Sequence, residues 1–478
     1  MAVFDNFIRG EWRASATGRT YEKRNPFKPD EVVGEFPASD EGDVEDAVGA
    51  AEDAYQQWST TVPQQRGALL LRAAEIVASR VDSIAAEMTA EMGKPLRESR
   101  GEVARGAETL RFCAGETWRA VGEIFSNSTT GSQIQAIRRP LGVVGLITPW
   151  NFPWSIPLWK AAPALAFGNT VVLKPAQEAP LTALRMAECF ADAGIPAGVF
   201  NVIVGRGSEI GTPLVTHRHV RAISFTGSGP VGHHVRDLAA AHGKRVQLEL
   251  GGHSPLIVLA DADLPRASEA AFSGAFWSAG QKCTATRRIY VHEPIYDEFR
   301  TLLLERIKRA AVGDPTDPKT EVGPLVNKTQ MDDVLGAVER GRSEGGSVAV
   351  GGIQLGGEGF VVPPTVFENV DDDAYLSREE VFGPVTSLYR VSSLEEAIER
   401  ANSTAYGLSA SLFTRELASV NRFVAGVHAG VLRVNAATAG GEPHVPFGGS
   451  KASGYGPREQ GRAAREFYTE SVTVYMND

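Results

Sequence analysis

From residue 143 the sequence settles into one pattern that restricts the fold more than any other feature. Short apolar runs at 143–147, 170–173, 200–204, 220–225 and 246–250 alternate with helix-periodic stretches such as 181–193 and 231–241. Runs this short, apolar throughout rather than at every second residue, belong to strands covered on both faces. Strand–helix alternation then gives βαβ units and a parallel sheet, so the fold class is α/β. A second α/β unit follows, with apolar runs at 256–259, 288–291, 409–414 and 430–434, helical stretches at 296–310 and 394–401, and a glycine-rich turn region over 341–359. Upstream, Val44, Val48, Ala51, Tyr55 and Trp58 form a helical stripe behind a cap at Ser39 or Asp40, and a second stripe spans 69–77. The alternating C-terminal run 471–475 reads either as an edge strand or as a strand shared between subunits.

A chain of 478 residues suits two or three domains. Its net charge of −10 argues against a partner held by bulk positive charge, whether nucleic acid or an anionic membrane. The most apolar stretch, 141–173, is interrupted by Asn151, Lys160 and four prolines, which excludes a spanning helix there. The first residues lack a secretory pattern. Cys113, Cys189 and Cys283 cannot form a disulfide framework. A cytoplasmic protein is expected.

Gly227-Ser-Gly229-Pro-Val-Gly232 follows one apolar run and opens a helical stretch, the context in which glycines admit a dinucleotide phosphate to a helix N-terminus. Glu249 lies about 20 residues further on, where the fingerprint places a ribose-binding acid; the Leu250-Gly-Gly252 that follows suggests a catalytic turn instead. Cys283 stands in the polar loop Gly280-Gln-Lys-Cys283-Thr284, and the cation at Lys282 predicts an activated thiolate. Cys113 and Cys189 lie in helical stretches and read as packing. Pro149-Trp150-Asn151-Phe152-Pro153 sits past a strand end and offers a preorganised amide donor for an oxyanion, or else a helix cap. The histidines lack zinc-site spacing, so no metal is expected.

Taken in order, Pro149–Pro153, Lys174-Pro-Ala, Phe225-Thr-Gly-Ser228, Leu248-Glu-Leu-Gly-Gly252, Gly280-Gln-Lys-Cys283, Glu380-Val-Phe-Gly-Pro384 and Pro446-Phe-Gly-Gly449 resemble the aldehyde dehydrogenase superfamily along essentially the whole chain. The resemblance implies that Cys283 attacks the aldehyde, that the Asn151 side chain and the Cys283 N–H form the oxyanion hole, and that Glu249 activates water to hydrolyse the thioester. It also implies Lys160 near the site and cofactor contacts from Trp150, Lys174, Gln177, Gly227, Ser228, Glu380 and Phe382. The expected architecture is a Rossmann-like cofactor domain (1–121 and 140–250), a catalytic domain (251–447), and a small β oligomerisation arm with the C-terminal strand (122–139 and 448–478) in a homodimer or homotetramer. Gln177 stands where many NAD-preferring relatives carry a carboxylate, so NADP is expected to be accepted alongside NAD.

Gly280-Gln-Lys-Cys-Thr-Ala-Thr286 and Arg458-Glu-Gln-Gly-Arg-Ala-Ala464 resemble the branch containing bacterial 2,5-dioxovalerate dehydrogenases. A carboxylated aldehyde would want a cation at the pocket mouth, for which Arg287 or Arg288 is the candidate. Phe152, Trp154, Trp159 and Trp277 would form an aromatic tunnel suited equally to benzaldehyde-type substrates. A CoA-acylating relative generally lacks the residue matched by Glu249, and an inactive scaffold would not retain Cys283, Glu249 and Asn151 together.

Overall fold

The computed structural model describes residues 2–119, 122–128, 132–357 and 359–477. Positions 1, 120–121, 129–131, 358 and 478, which include parts of the expected cofactor unit and arm, lie outside the described residues. Asp40 starts the helix Glu41–Thr60 with a capping box: its carboxylate accepts from Gly42 N (2.9 Å), and the Asp43 carboxylate accepts from Asp40 N (3.1 Å). The helix buries Val44, Ala47, Val48 and Ala51 against the first sheet.

That sheet runs in the order Gly454–Tyr455, Arg245–Glu249, Val220–Thr226, Val143–Ile147, Thr170–Lys174, Phe200–Val202, Asn6–Ile8, Glu11–Arg13. The five strands between 143 and 249 are parallel. Within Val143–Ile147, Val143 and Ile147 face one buried cluster while Val144 and Leu146 face another, which is why the run is apolar at successive positions. From Val143–Ile147 the chain builds outward through 170 and 200, then returns to add 220 and 245 on the other side. The switch point therefore lies between Val143–Ile147 and Val220–Thr226, where ligands of open α/β sheets collect beyond the strand ends.

The second sheet, ordered Ser347–Val350, Thr365–Glu368, Val385–Val391, Thr286–His292, Ser254–Val258, Ser409–Phe413, Val431–Val434, is parallel except at its first strand. The expected turn region 341–359 is partly regular: the helix Lys328–Ser343 runs into it, and Ser347–Val350 pairs antiparallel with Thr365–Glu368. The glycines there end elements rather than fill one loop, since Gly345, Gly351 and Gly352 have positive φ at the boundaries.

A third sheet joins Thr469–Asn477, Ser132–Pro140 and Gly122–Phe125. The C-terminal strand pairs within its own chain, from Thr469 opposite Pro140 to Asn477 opposite Ser132. Gly454–Tyr455 pairs with Arg245–Glu249, and Ala464, Phe467 and Tyr468 are buried with the first unit's core, so only Thr469–Asn477 leaves for the third sheet.

Candidate active site

Several expected site residues lie at the carboxyl edge of the first sheet because adjacent parallel strands end in register. Ile147 pairs with Lys174, putting the turn Pro149–Pro153 beside Lys174, and Thr226 pairs with Glu249, putting Gly227 beside Glu249. The switch point opens into a cleft of about 620 Å³ lined by Trp150, Asn151, Gly227, Ser228, Cys283, Glu380 and Phe382. Trp150 and Phe382 meet edge to face there, with centroids 5.5 Å apart. Ser228 precedes the helix Gly229–Ala241 in extended conformation, and a Cβ on Gly227 would collide with the Phe225 ring.

Cys283 is partly exposed, on the loop after a short turn in which Ser278, Ala279 and Gly280 all take left-handed backbone angles (φ 57, 52 and 67°). A side chain on Gly252 would strike the Cys283 carbonyl, so that glycine lets two strand-end loops touch. Burial, then the Glu380 and Glu249 carboxylates, push the Cys283 thiol up to about 12. Lys282 Nζ donates to Ser273 O (2.8 Å) on the preceding helix, and the thiol is held up rather than down, against the expected activation by Lys282. Asn151 is buried; its Nδ2 donates to Gln281 O (2.9 Å), leaving one amide hydrogen uncommitted, and its Oδ1 has no partner.

Glu249 ends its strand with Oε2 accepting from Gly449 N (3.2 Å). Burial and the neighbouring Glu459 carboxylate raise its pKa well above the usual carboxylate range, against an opposing effect of Lys160. Lys160, buried on the helix Ser155–Ala166, pairs with Glu459 and donates to Ser224 Oγ (2.8 Å), so it reaches Glu249 through that pair. Glu380 Oε1 accepts from Gly252 N (3.1 Å), and burial raises its carboxyl to about 7. Burial lowers Lys174 to about 8, and its Nζ donates to Pro175 O (3.0 Å) with two further hydrogens uncommitted. Gln177 is half-buried, with Nε2 donating to Glu178 Oε1 (3.3 Å).

Of the expected tunnel aromatics, Trp154 is buried away from any passage, whereas Phe152, Trp159 and Trp277 are partly exposed. Trp154 is in the core, close enough to Gly106 that a Cβ there would clash with the indole. Trp159 packs on Phe447 at 5.6 Å, Phe152 lies under the Lys94 ammonium at 3.9 Å, and Trp277 lies under Arg97 at 5.1 Å. Arg287 and Arg288 are corrected outright. Arg287 donates to Gly280 O (2.5 Å) and to Gly383 O, and Arg288 to the carbonyls of His253, Arg400 and Ala401. Both are buried, with terminal guanidinium nitrogens donating to backbone carbonyls, so neither faces a pocket mouth. Sequence reasoning missed Glu459, Ser224, Lys94, Glu98 and Glu102. A helix with acids four residues apart looks like an ordinary solvated face, and nothing local marks Glu102 as buried.

A doubly wound sheet whose switch-point cleft gathers a glycine-framed helix start, a cysteine, an amide donor and carboxylates defines a dinucleotide-dependent enzyme of carbonyl chemistry. Residues 12–474 match the Aldehyde dehydrogenase family. The chain is 44% identical to the alpha-ketoglutaric semialdehyde dehydrogenase of Bacillus subtilis (strain 168) over 475 residues, 98% of this chain and 97% of that protein. Among solved structures it superposes on an NAD-dependent aldehyde dehydrogenase from Sinorhizobium meliloti with a TM-score of 0.98 at 35% identity, covering 100% of this chain and 95% of the other. It superposes on an NADP dependent enzyme from E. coli with a TM-score of 0.97 at 34% identity, covering 100% and 98%. The chain belongs to the aldehyde dehydrogenase family. It is accordingly an NAD(P)-dependent enzyme that oxidises an aldehyde to a carboxylic acid.

Proposed function

We propose that the enzyme oxidises a semialdehyde carrying a distal carboxylate, of the 2,5-dioxovalerate class, with Cys283 as nucleophile. The observation that carries the reading is the convergence, from the facing ends of the two sheets, of a partly exposed thiol, a buried amide with a free hydrogen, and a buried carboxyl of raised proton affinity. A carboxylate with ordinary affinity would be a poor base toward a thiol held up to about 12; burial beside Glu459 makes ionised Glu249 a stronger one. Cys283 Sγ adds to the aldehyde carbon as its proton passes to ionised Glu249, which releases it to solvent before the hydrolytic step, and the oxyanion is received by Asn151 Nδ2 and the Cys283 N–H. A nicotinamide dinucleotide bound in the cleft would supply the acceptor for the hydride of this adduct. Cys283 is left as a thioester, and Glu249 takes a proton from the water that cleaves it to acid and free thiol.

The residues fit such a cofactor. Lys174 holds uncommitted hydrogens beside Gly207, whose missing side chain leaves the approach open, and Glu380 and Phe382 line the inner cleft. Lys174 and Gln177 would take the adenosine ribose, Gly227 and Ser228 the pyrophosphate, and Glu380 and Phe382 the nicotinamide end. Gln177 places no charge three residues after Lys174, and the Glu178 carboxylate next to it already accepts from Gln177, which supports use of both NAD and NADP.

With Arg287 and Arg288 committed to the fold, Arg105 and Arg433 are the cations suited to a distal carboxylate. Both guanidiniums converge on the segment 440–442, donating to Gly441 O and Gly440 O. Two residues before that segment, Thr438 Oγ1 donates to Thr284 O (2.7 Å) on the cysteine loop. The Trp159–Phe447 pair favours the second reading, a benzaldehyde-type substrate. The test is reduced-dinucleotide formation from 2,5-dioxovalerate, succinic semialdehyde, benzaldehyde and aliphatic aldehydes, with NAD and NADP in parallel. Turnover concentrated on carboxylated aldehydes, lost in Arg105→Ala through KM, supports the semialdehyde reading; turnover concentrated on benzaldehyde replaces it.

The cofactor, catalytic and arm units are assigned as in the sequence reading, with Thr469–Asn477 as the arm's C-terminal strand. Exposed Ile124, Phe125, Tyr475 and Met476 on the three-stranded sheet support a homo-oligomer assembled there, checked by light scattering. Three free cysteines support a cytoplasmic location.

A further inference from the structure

The two donors proposed to receive the oxyanion sit on loops of different sheets, and we infer that one turn of the helix Leu96–Glu116 sets the distance between them. The inference rests on the reading of Asn151 and the Cys283 N–H as that pair. Glu98 and Glu102 are four residues apart and share a helix face. Glu98 holds the cysteine side: its Oε1 accepts from Ser278 N (3.0 Å) and its Oε2 from Ser278 Oγ (2.6 Å). Ser278 and Ala279 both have positive φ, a state non-glycine residues keep only where their surroundings enforce it.

Glu102 holds the asparagine side. Its Oε1 accepts from Trp154 N and Ser155 N, both at 3.0 Å, and its Oε2 pairs with Lys94 Nζ. Lys94 Nζ in turn donates to Asn151 O (2.8 Å) and lies 3.9 Å above the Phe152 ring. The Lys94 and Glu102 side chains are 1% and 3% exposed, and a buried pair of this kind is tolerated when its remaining hydrogen-bonding positions are filled, as they are here. Asn151 Nδ2 to Gln281 O (2.9 Å) closes the triangle between the two loops. The helix backbone is thus a rigid spacer, one carboxylate per loop. Lys94, Glu98 and Glu102 are positioning residues, acting through the loops they hold. Because oxyanion donors work only within a narrow range of distance, displacing one loop weakens the transition state more than it weakens substrate binding.

The test compares Glu98→Ala, Glu98→Gln, Glu102→Gln and Asn151→Ala with the unaltered enzyme, reading the single-turnover rate of reduced-dinucleotide formation, aldehyde KM, and alkylation of Cys283 by iodoacetamide. Alkylation displaces iodide from a saturated carbon and builds no oxyanion, so it reports the thiol alone. Glu98→Ala is expected to lose about 10- to 100-fold in single-turnover rate, with KM and alkylation essentially unchanged. Glu98→Gln keeps an acceptor for Ser278 N–H and recovers most of the rate. Should Glu98→Ala fail to fold, the near-isosteric Glu102→Gln carries the same comparison. A wild-type single-turnover rate in Glu98→Ala alongside a slow Asn151→Ala overturns the spacer role alone; so does a loss matched by slower alkylation, which marks a collapsed cysteine loop. A wild-type rate in Asn151→Ala overturns the oxyanion reading and the spacer with it.

Discussion

Raising the pH in the absence of aldehyde perturbs the site most simply, because the resting state of Cys283 follows from its surroundings. Burial first, then the Glu380 and Glu249 carboxylates, displace the thiol from 9.0 to about 12. The displacement corresponds to about 4 kcal/mol against the thiolate, leaving about one sulfur in 10⁵ ionised at pH 7. The sign is that of an acid whose charged form is disfavoured, so each pH step below the pKa raises the thiolate about tenfold. Alkylation of the enzyme without dinucleotide, followed by iodoacetamide mapping of the Cys283 peptide, should accelerate about 1,000-fold between pH 7 and pH 10, with no plateau. Glu380→Gln removes one of the opposing carboxylates and should speed alkylation at fixed pH above 7, where that carboxyl is ionised. Cys113 and Cys189 are buried and serve as slow internal references. A plateau with a midpoint below pH 8 would refute the reasoning, since the thiolate would then exist before any base acts.

Other changes have equally definite consequences. Asn151→Ala should lower kcat by about 10²- to 10³-fold, with a small change in aldehyde KM, measured by steady-state kinetics. Lys160→Met leaves Glu459 buried without its cation and should cost about 3–5 kcal/mol in urea unfolding, with Glu459→Gln in the same background recovering part of the loss. Gly251→Ala places a Cβ where Glu380 Oε2 now sits, so the dinucleotide KM should rise while alkylation of Cys283 continues. The kcat/KM profile should climb on the acid side with the ionisation of Glu249, whose high proton affinity keeps it protonated well above the ordinary carboxylate range.

The parallel strands were legible because burial on both faces removes polar alternation, as Val143 to Ile147 show by facing two separate clusters. Cys283, Asn151, Gly227, Ser228 and Glu380 were legible because their motifs lie in loops at strand ends that face one cleft: Asn151 and Gly227 follow in-register strands of the first sheet, while Cys283 and Glu380 precede strands of the second. Side-chain direction was not legible. Lys282 is adjacent to Cys283 in sequence yet bonds to Ser273 O, and Arg287 and Arg288, the candidates for the pocket mouth, are buried with donors on backbone carbonyls. Glu98 and Glu102 were invisible for the opposite reason: two acids one helical turn apart are the commonest pattern of a solvated face, and only the packing of loops from both sheets onto that turn gives them partners.

The account stands most directly on the fate of Glu249→Gln. This enzyme is mixed with dinucleotide and whichever aldehyde the panel selects, quenched in acid, and its peptides weighed. The account predicts a burst of about one equivalent of reduced dinucleotide per active site, with the acyl group retained as a thioester on the Cys283 peptide. Sustained turnover at the unaltered rate without an adduct, or an acyl group found on Cys113 or Cys189, would contradict it.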